Sequence, residues 1–270
     1  MGDRDPVRAA GPDVVDAPLR DLSRLAGLAH ALVVTAVAVA FSLLVPARPG
    51  EGGAAHQVLL GSGLAALLWA YGGLVLGLVA GSRRPRVLGS RVGLLTAHRQ
   101  VSLAVLALTL LHAVASVVGL RGGSWLASFV PQTAETGRLG WSAGILAFYL
   151  AVLLGPSWYL RRRVPRRVWL LGHQAAALTY VLALWHALVL GGEFRAEGGL
   201  RTALWVAQLP LLVLFAVRLL GPHRRAESPL ARQRTPRQRT LRDAAVLGVL
   251  TASLALLLVV LLAAGPGRSG

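Results

Sequence analysis

Residues 92–120, which read VGLLTAHRQVSLAVLALTLLHAVASVVGL, decide the fold. This apolar stretch is long enough to cross a bilayer as one helix, because about twenty residues span the hydrocarbon core. It nevertheless contains two histidines, His98 and His112, fourteen positions apart. A histidine inside lipid is costly and is usually retained for a partner or a ligand. At about 1.5 Å per residue the two side chains lie roughly 21 Å apart, near opposite surfaces of the membrane.

The composition of the whole chain is that of a membrane protein. Hydrophobic residues make up 55% of it and charged residues 14%, with a mean hydropathy of +0.61. The chain contains no cysteine, which excludes disulfides, thiolate metal sites, iron–sulfur clusters and the attachment of c-type haem. We therefore predict an all-α polytopic bundle of about seven transmembrane helices.

The apolar blocks divide the chain into spans and polar segments. The predicted spans lie at about residues 25–45, 57–80, 92–120, 139–160, 168–190, 200–220 and 244–264. Residues 25–220 form a six-span core, and 244–264 is an additional seventh span. Residues 1–24 are a polar, cytoplasmic tail that we expect to be mobile, 221–243 an Arg-rich cytoplasmic linker, and 265–270 a short tail.

The distribution of basic residues predicts how the chain is oriented in the membrane. The formal net charge of +17 suggests nucleic-acid binding, but every basic residue is arginine and most lie in short loops between apolar blocks. Twenty arginines fall on the side of the N-terminal tail and six on the other side. The positive-inside rule then places the N-terminus in the cytoplasm and the C-terminus outside. We predict a multi-pass protein of the cell (inner or plasma) membrane that contacts the lipid bilayer and no nucleic acid.

The third and fifth spans run in the same direction, and each carries two histidines. His98 and His173 lie at the predicted inner depth, and His112 and His186 at the outer depth. Neutral imidazole is a good axial ligand for haem iron, and two imidazoles saturate the iron. Because a saturated iron has no open position for a substrate, such a site suits electron transfer. Two stacked sites would form a conduit across the membrane.

The spacing of the histidines sets a geometric condition on the fifth span. Fourteen residues return within about 40° of the starting face of a helix, whereas thirteen, as between His173 and His186, leave an offset of about 140°. The fifth span must therefore be tilted, be distorted, or approach the two cofactors from different sides. The remaining histidines are better interpreted as buried hydrogen-bonding or interfacial residues: His30, His56 and His223.

The second span carries glycines at helical spacing. Gly73, Gly77 and Gly81 form a doubled G-x-x-x-G pattern. Small residues at this spacing let two helix backbones approach closely. We interpret the pattern as packing within the bundle rather than as a dimer contact.

Two of these segments resemble a known family. AHRQVSLAVLALTLLH (residues 97–112) and GHQAAALTYVLALWH (172–186) resemble the third and fifth spans of the ferric reductase-like transmembrane domain. That superfamily includes the NADPH oxidases, the eukaryotic ferric reductases and the bacterial haem-binding subunit of the periplasmic methionine sulfoxide reductase system. The resemblance covers roughly residues 25–220 and implies six spans that form a haem-binding core, which moves electrons outward. It implies two haem b sites, held by these pairs: His98 with His173 (inner) and His112 with His186 (outer).

The resemblance also shapes what we expect of cofactors and partners. Oxidases and ferric reductases of this kind continue into flavin and nicotinamide domains, whereas here an Arg-rich linker and a seventh span follow. No Gly-rich dinucleotide loop follows a strand pattern, so we expect that this chain does not bind FAD or NAD(P)H. A separate flavoprotein or a quinol would donate electrons, and an extracytoplasmic reductase is a candidate acceptor. Position suggests Arg99 as an inner partner of haem propionates, and Arg138 and Arg195 as outer partners.

Three hypotheses remain open at the level of the sequence. The first is a transmembrane electron-transfer protein, an oxidoreductase component without an assigned catalytic residue. It would carry electrons through two bis-histidine haems from the cytoplasmic side or the membrane to an extracytoplasmic acceptor. The second is a quinol-coupled haem subunit of an extracytoplasmic reductase. The third is a non-redox polytopic protein, such as a transporter or assembly factor, whose histidines bind metal or only form hydrogen bonds.

Overall fold

The structure is a computed structural model that describes residues 12–44, 53–80, 91–120, 123–161, 163–191 and 199–220. All regular structure in these ranges is helical. The helices are α1 (Pro12–Leu44), α2 (Ala54–Ala80), α3 (Arg91–Gly119), α4 (Trp125–Phe129), α5 (Arg138–Leu154), α6 (Ser157–Leu160), α7 (Arg166–Gln174), α8 (Ala176–Leu190) and α9 (Gly199–Leu220). The predicted linker, seventh span and C-terminal tail lie outside the described residues.

Six helical segments in the described ranges are long and apolar enough to cross a membrane. They are Leu25–Leu44, Ala54–Ala80, Gly93–Gly119, Arg138–Leu160, Gly172–Leu190 and Arg201–Arg218. Each coincides with one of the first six predicted spans, and no strand is present in the part of the chain that the structure describes. The predicted class, a polytopic all-α membrane protein, is confirmed.

The first helix begins earlier than the sequence indicates. Its first residue is Pro12, so residues 12–24 of the predicted tail are helical, while the mobility of this tail stays a prediction. Extending an existing helix adds one hydrogen bond per residue fixed, so the apolar span allows the helix to continue into a polar segment. Proline also suits the first position of a helix, where its missing N–H leaves no bond unmade.

The central helix of the bundle is α2. It contains no charged residue and is apolar around its whole circumference, as expected of a helix surrounded by others. It packs against α1, α3, α8 and α9, most extensively against α3. Leu67 shares an apolar cluster with residues of α8 and α9, Ala65 shares one with α1 and α3, and Val79 shares one with α3. Residues that face α2 therefore face the interior of the protein.

Glycines of α2 permit its close contact with α3. A Cβ atom on Gly73 would lie 3.2 Å from Cγ1 of Val101, and one on Gly77 would lie 3.3 Å from Cε1 of His98. The interpretation of these two glycines as packing residues within the bundle is confirmed. Gly81 lies outside the described residues.

The fourth and fifth spans are both interrupted. Gly155 and Pro156 separate α5 from α6, because proline has no N–H to continue the helical ladder. Ala175 separates α7 from α8, and its N–H bonds to the carbonyl of Gly172, three residues back rather than four, at 3.0 Å. The distortion that the histidine spacing requires is thus present in the fifth span, two residues after His173.

A buried polar pair joins α8 to α9. The hydroxyl of Tyr180 donates to Oε1 of Gln208 at 3.1 Å, and Nε2 of Gln208 donates to the carbonyl of Leu204 at 2.8 Å. The side chains of Tyr180 and Gln208 are 4% and 3% exposed, so water does not compete for these bonds. The pair therefore fixes how α9 lies against α8.

We expect that replacing Gln208 with leucine destabilises the protein by about 1 kcal/mol, because the Tyr180 hydroxyl would be left buried without a partner. Adding Tyr180→Phe should restore part of this loss, since removing both polar partners is nearly neutral. Denaturation in detergent measures both effects. Equal stability of the Gln208→Leu variant and the parent would contradict the assignment.

Candidate functional site

The four histidines of the third and fifth spans form two pairs. The ring centroids of His98 and His173 are 5.8 Å apart, with the ring planes at 87°. Those of His112 and His186 are 5.9 Å apart, with the planes at 90°. The structure thus brings together the same histidines that are predicted to lie at the same depth in the membrane.

The helices explain how both pairs form. His98 and His112 share the continuous helix α3, where their spacing of fourteen keeps them near one face. His173 lies on α7 and His186 on α8, on either side of the interruption at Ala175. Because the interruption removes the fixed 100° step between these two histidines, both can reach α3 despite their spacing of thirteen.

Three of the four histidines have a backbone carbonyl as a partner on a neighbouring helix. The hydrogen bonds, each with an Nδ1···O distance of 2.9 Å, join His98 to Gly73, His112 to Leu59 and His186 to Gly140. A carbonyl oxygen only accepts, so Nδ1 must carry the hydrogen in each ring, which leaves the lone pair of Nε2 free. This is the tautomer in which a neutral imidazole ligates a metal, and the second hydrogen bond also fixes the orientation of the ring.

His173 is held differently from the other three. Its Nδ1 is buried and has no hydrogen-bond partner among the described residues. Its ring instead stacks on Trp169, with centroids 5.0 Å apart and planes at 11°. Nε1 of Trp169 donates to the carbonyl of Ser157 at 3.2 Å, which anchors this indole to α6. Aromatic stacking therefore orients the fourth imidazole.

The number of protein ligands distinguishes between kinds of metal site. No group of three or more His, Cys, Asp or Glu that could hold a metal ion occurs within the described ranges. A pair is too small for a four-coordinate structural ion such as zinc, but it matches the two axial ligands of a haem iron. Metal–imidazole bonds of about 2 Å on each side would place facing ring centroids roughly 6 Å apart. Both observed separations, 5.8 and 5.9 Å, fit a haem iron.

An arginine–aromatic cluster lies next to the first pair. Arg99 donates to the hydroxyl of Tyr159 at 3.3 Å, and its guanidinium lies 5.6 Å from the ring centroid of Trp158. The guanidinium of Arg161 lies 3.3 Å from the same Trp158 centroid. The Nε atom of Arg99 is buried without a partner in the part of the chain that the structure describes. A cation held in this way is suited to an anionic ligand group.

Of the other two candidate arginines, the structure describes Arg138 but not Arg195. Nε of Arg138 donates to the carbonyl of Ala134 at 3.1 Å, so this side chain already takes part in a local bond at the start of α5. Arg195 lies outside the described residues. Of the three arginines predicted to contact propionates, Arg99 is thus the one that the structure sets beside a histidine pair.

The remaining histidines take no part in the two pairs. Nε2 of His30 accepts a hydrogen bond from Nε1 of Trp69 at 3.1 Å, in agreement with the interpretation of His30 as a buried hydrogen-bonding residue. His56 stands in the first turn of α2 and is partly buried. His223 lies outside the described residues.

Sequence reasoning missed two glycines that contact the paired histidines. A Cβ atom on Gly63 would lie 2.7 Å from Nδ1 of His112, and one on Gly144 would lie 2.5 Å from Nδ1 of His186. A signal for the first was present in the sequence, because Gly63 and Gly77 are fourteen residues apart, as are the two histidines of α3. Periodicity alone assigns such glycines to helix packing, without saying what they pack against.

Comparison with known proteins gives one finding. Residues 63–184 match the family model described as "Ferric reductase like transmembrane component". The matched segment runs from α2 into α8, contains three of the four paired histidines and ends just before His186. No curated protein and no solved structure matches the chain.

Proposed function

We propose that this protein carries electrons across a membrane through two bis-histidine haem b sites, a role supported by the match of residues 63–184 to the ferric reductase-like transmembrane family model. The observation that carries the proposal is the pairing of four histidines at two levels, with ring centroids 5.8 and 5.9 Å apart. Each of the two spans supplies one imidazole at each level, and together these imidazoles would hold two haem irons.

His98 and His173 would hold the iron of the inner haem, and His112 and His186 would hold that of the outer haem. When bound, haem b supplies a carrier of single electrons. The carbonyls of Gly73, Leu59 and Gly140 fix the tautomer and the orientation of three of the imidazoles. With two histidine ligands for each iron, a bound haem would have no open position for a substrate, so the residues favour electron transfer.

The arginines support an assignment of direction. Their excess on the side of the N-terminus supports an orientation with the His98 end of the bundle at the cytoplasmic surface of the cell membrane and the His112 end at the outer surface. The N-terminus is then cytoplasmic and the C-terminus extracytoplasmic. In this orientation electrons would pass from the inner pair to the outer pair and then to an extracytoplasmic acceptor.

The arginine–aromatic cluster has a role at the inner site. Arg99 follows His98 directly, and its guanidinium is held against Trp158 and Tyr159. We assign Arg99 to a propionate of the inner haem, because its buried Nε needs an acceptor and the carboxylate supplies one. Arg138 and Arg195 are the corresponding outer candidates by position.

The donor and acceptor are separate molecules in this proposal. The donor is a flavoprotein at the cytoplasmic side or a quinol in the membrane, and FAD and NAD(P)H are not bound by this chain. An extracytoplasmic reductase is the candidate partner at the other side. Reduction of the purified protein by a flavin reductase, but not by a quinol analogue, would separate this function from that of a quinol-coupled haem subunit.

We expect the purified protein to contain two haem b groups per chain, as measured by the pyridine haemochrome method. Its EPR spectrum should show strongly anisotropic low-spin ferric signals, because the imidazole planes of both pairs are nearly perpendicular. Fewer than one haem per chain would overturn the di-haem assignment. The absence of a Soret band after expression with ample haem would favour a non-redox protein instead.

A further inference from the structure

We infer that Gly63, Gly77 and Gly144 are positioning residues that hold three of the imidazoles in the orientation needed to ligate haem iron. This inference rests on the proposed function and deepens it. None of the three glycines touches the iron or bonds to a histidine. They act by letting the backbone of a neighbouring helix lie directly against an imidazole ring.

The glycines occur in a repeated arrangement. Each of three histidines donates Nδ1–H to a backbone carbonyl, and a glycine stands four residues after that carbonyl on the same helix. The carbonyl and glycine pairs are Leu59 with Gly63, Gly73 with Gly77, and Gly140 with Gly144. Residues four apart lie one turn apart on the same helix face. Carbonyl and glycine together therefore form one seat for the ring, which we call the carbonyl–glycine seat.

Two separate helix pairs form this seat. On α2, the seats for His112 and His98 are fourteen residues apart, which matches the spacing of these histidines on α3. This is the register of two antiparallel helices that pack regularly over four turns. The seat on α5 serves His186 on α8 and repeats the same relation without sharing a residue with α2. Because the seat recurs in a second helix pair, we attribute it to the need to orient a histidine ring and not to the packing of one particular pair of helices.

The distances predict graded effects of adding a methyl group. A Cβ atom would lie 2.7 Å from His112 at Gly63, 2.5 Å from His186 at Gly144 and 3.3 Å from His98 at Gly77. Non-bonded carbon atoms prefer separations of about 3.5–4.0 Å. A methyl group at position 63 or 144 must therefore displace a ring that a hydrogen bond holds in place. At position 77 a shift of a few tenths of an ångström is enough.

His173 lacks such a seat among the described residues, which makes the two sites unequal. Its Nδ1 is buried with no carbonyl partner there, and the ring is oriented by Trp169. The outer site thus has two seated imidazoles and the inner site has one. Alanine substitutions at the seats should accordingly affect the outer haem more strongly than the inner haem.

The test compares alanine variants of the seat glycines with a matched control on the same helix. Gly63→Ala and Gly144→Ala should each lose the outer haem, so that haem content falls from two per chain to about one while the inner low-spin signal persists. Gly77→Ala should keep both haems and shift only the EPR signal of the inner haem. Gly72→Ala is the control, because a Cβ atom there has nothing within 4 Å, and it should retain both haems and both signals.

A double variant tests the inference where the Gly63→Ala protein is purified in low yield. With alanine at position 112 the ring is gone, so Gly63→Ala combined with His112→Ala should be recovered as well as His112→Ala alone. A poorer recovery of the double variant would show that Gly63 serves another contact, and would overturn the inference. Unchanged haem content and spectra in Gly63→Ala and Gly144→Ala would also overturn it. Parent protein without haem would instead overturn the proposed function.

Discussion

Replacing His112 or His186 with alanine is expected to leave one haem per chain instead of two. The two ring centroids are 5.9 Å apart, so each substitution removes one of the two proposed ligands and leaves the other imidazole to hold the haem alone. The inner pair lies roughly 21 Å away along α3 and should keep its low-spin signal. Haem content, together with low-temperature absorption and EPR spectra, measures both outcomes.

The control for this experiment is His30→Ala. This substitution also removes an intramembrane histidine, but one whose Nε2 only accepts a hydrogen bond from Trp69. It should keep two haems and unchanged spectra, although the freed indole N–H costs some stability. Two low-spin haems in purified His112→Ala protein would contradict the assignment of the outer pair.

The helices and the pairing of histidines follow from simple regularities of the sequence. Apolar blocks of about twenty residues predict the spans, because the thickness of the bilayer sets their length. Arginine asymmetry gives the two spans the same direction, and that direction alone pairs His98 with His173 rather than with His186. These predictions rest on the thickness of the bilayer and on the sidedness of the basic residues, so they need no knowledge of how the helices pack.

The features that orient the histidines could not be predicted in the same way. The acceptors of their Nδ1–H groups are backbone carbonyls, which every residue has, so no residue type marks Leu59 or Gly140 as a partner. The interruption at Ala175 lies in the run HQAAAL, where neither glycine nor proline signals a break and alanine is the best helix former. The required distortion could be deduced from the spacing of the histidines, but its position could not.

The arginine–aromatic cluster also could not be predicted from the sequence. Arg99 and Tyr159 are sixty residues apart, and they meet because the chain turns at Gly155 and Pro156 before α6. From the sequence, Arg99 is one of many arginines at the predicted cytoplasmic surface. Packing singles it out, since it combines two aromatic neighbours with a buried Nε that has no partner among the described residues.

Replacing His98 with alanine is expected to abolish electron transfer across a vesicle membrane. The proposed sites lie roughly 21 Å apart along α3, whereas the hydrocarbon core is about 30 Å thick. Without the inner pair, an electron from the cytoplasmic side must cross most of the bilayer in one step, and the probability of such a step falls steeply with distance.

The assay places a reduced flavin reductase outside proteoliposomes and a ferric chelate inside, and records the rate at which the trapped chelate is reduced. Gly72→Ala, whose added methyl group meets nothing within 4 Å, should match the parent. His98→Ala should fall to the rate of protein-free vesicles even though its outer haem remains. Reduction of the trapped chelate by His98→Ala at the parental rate, in vesicles with the same protein orientation, would show that electrons do not pass through the inner pair.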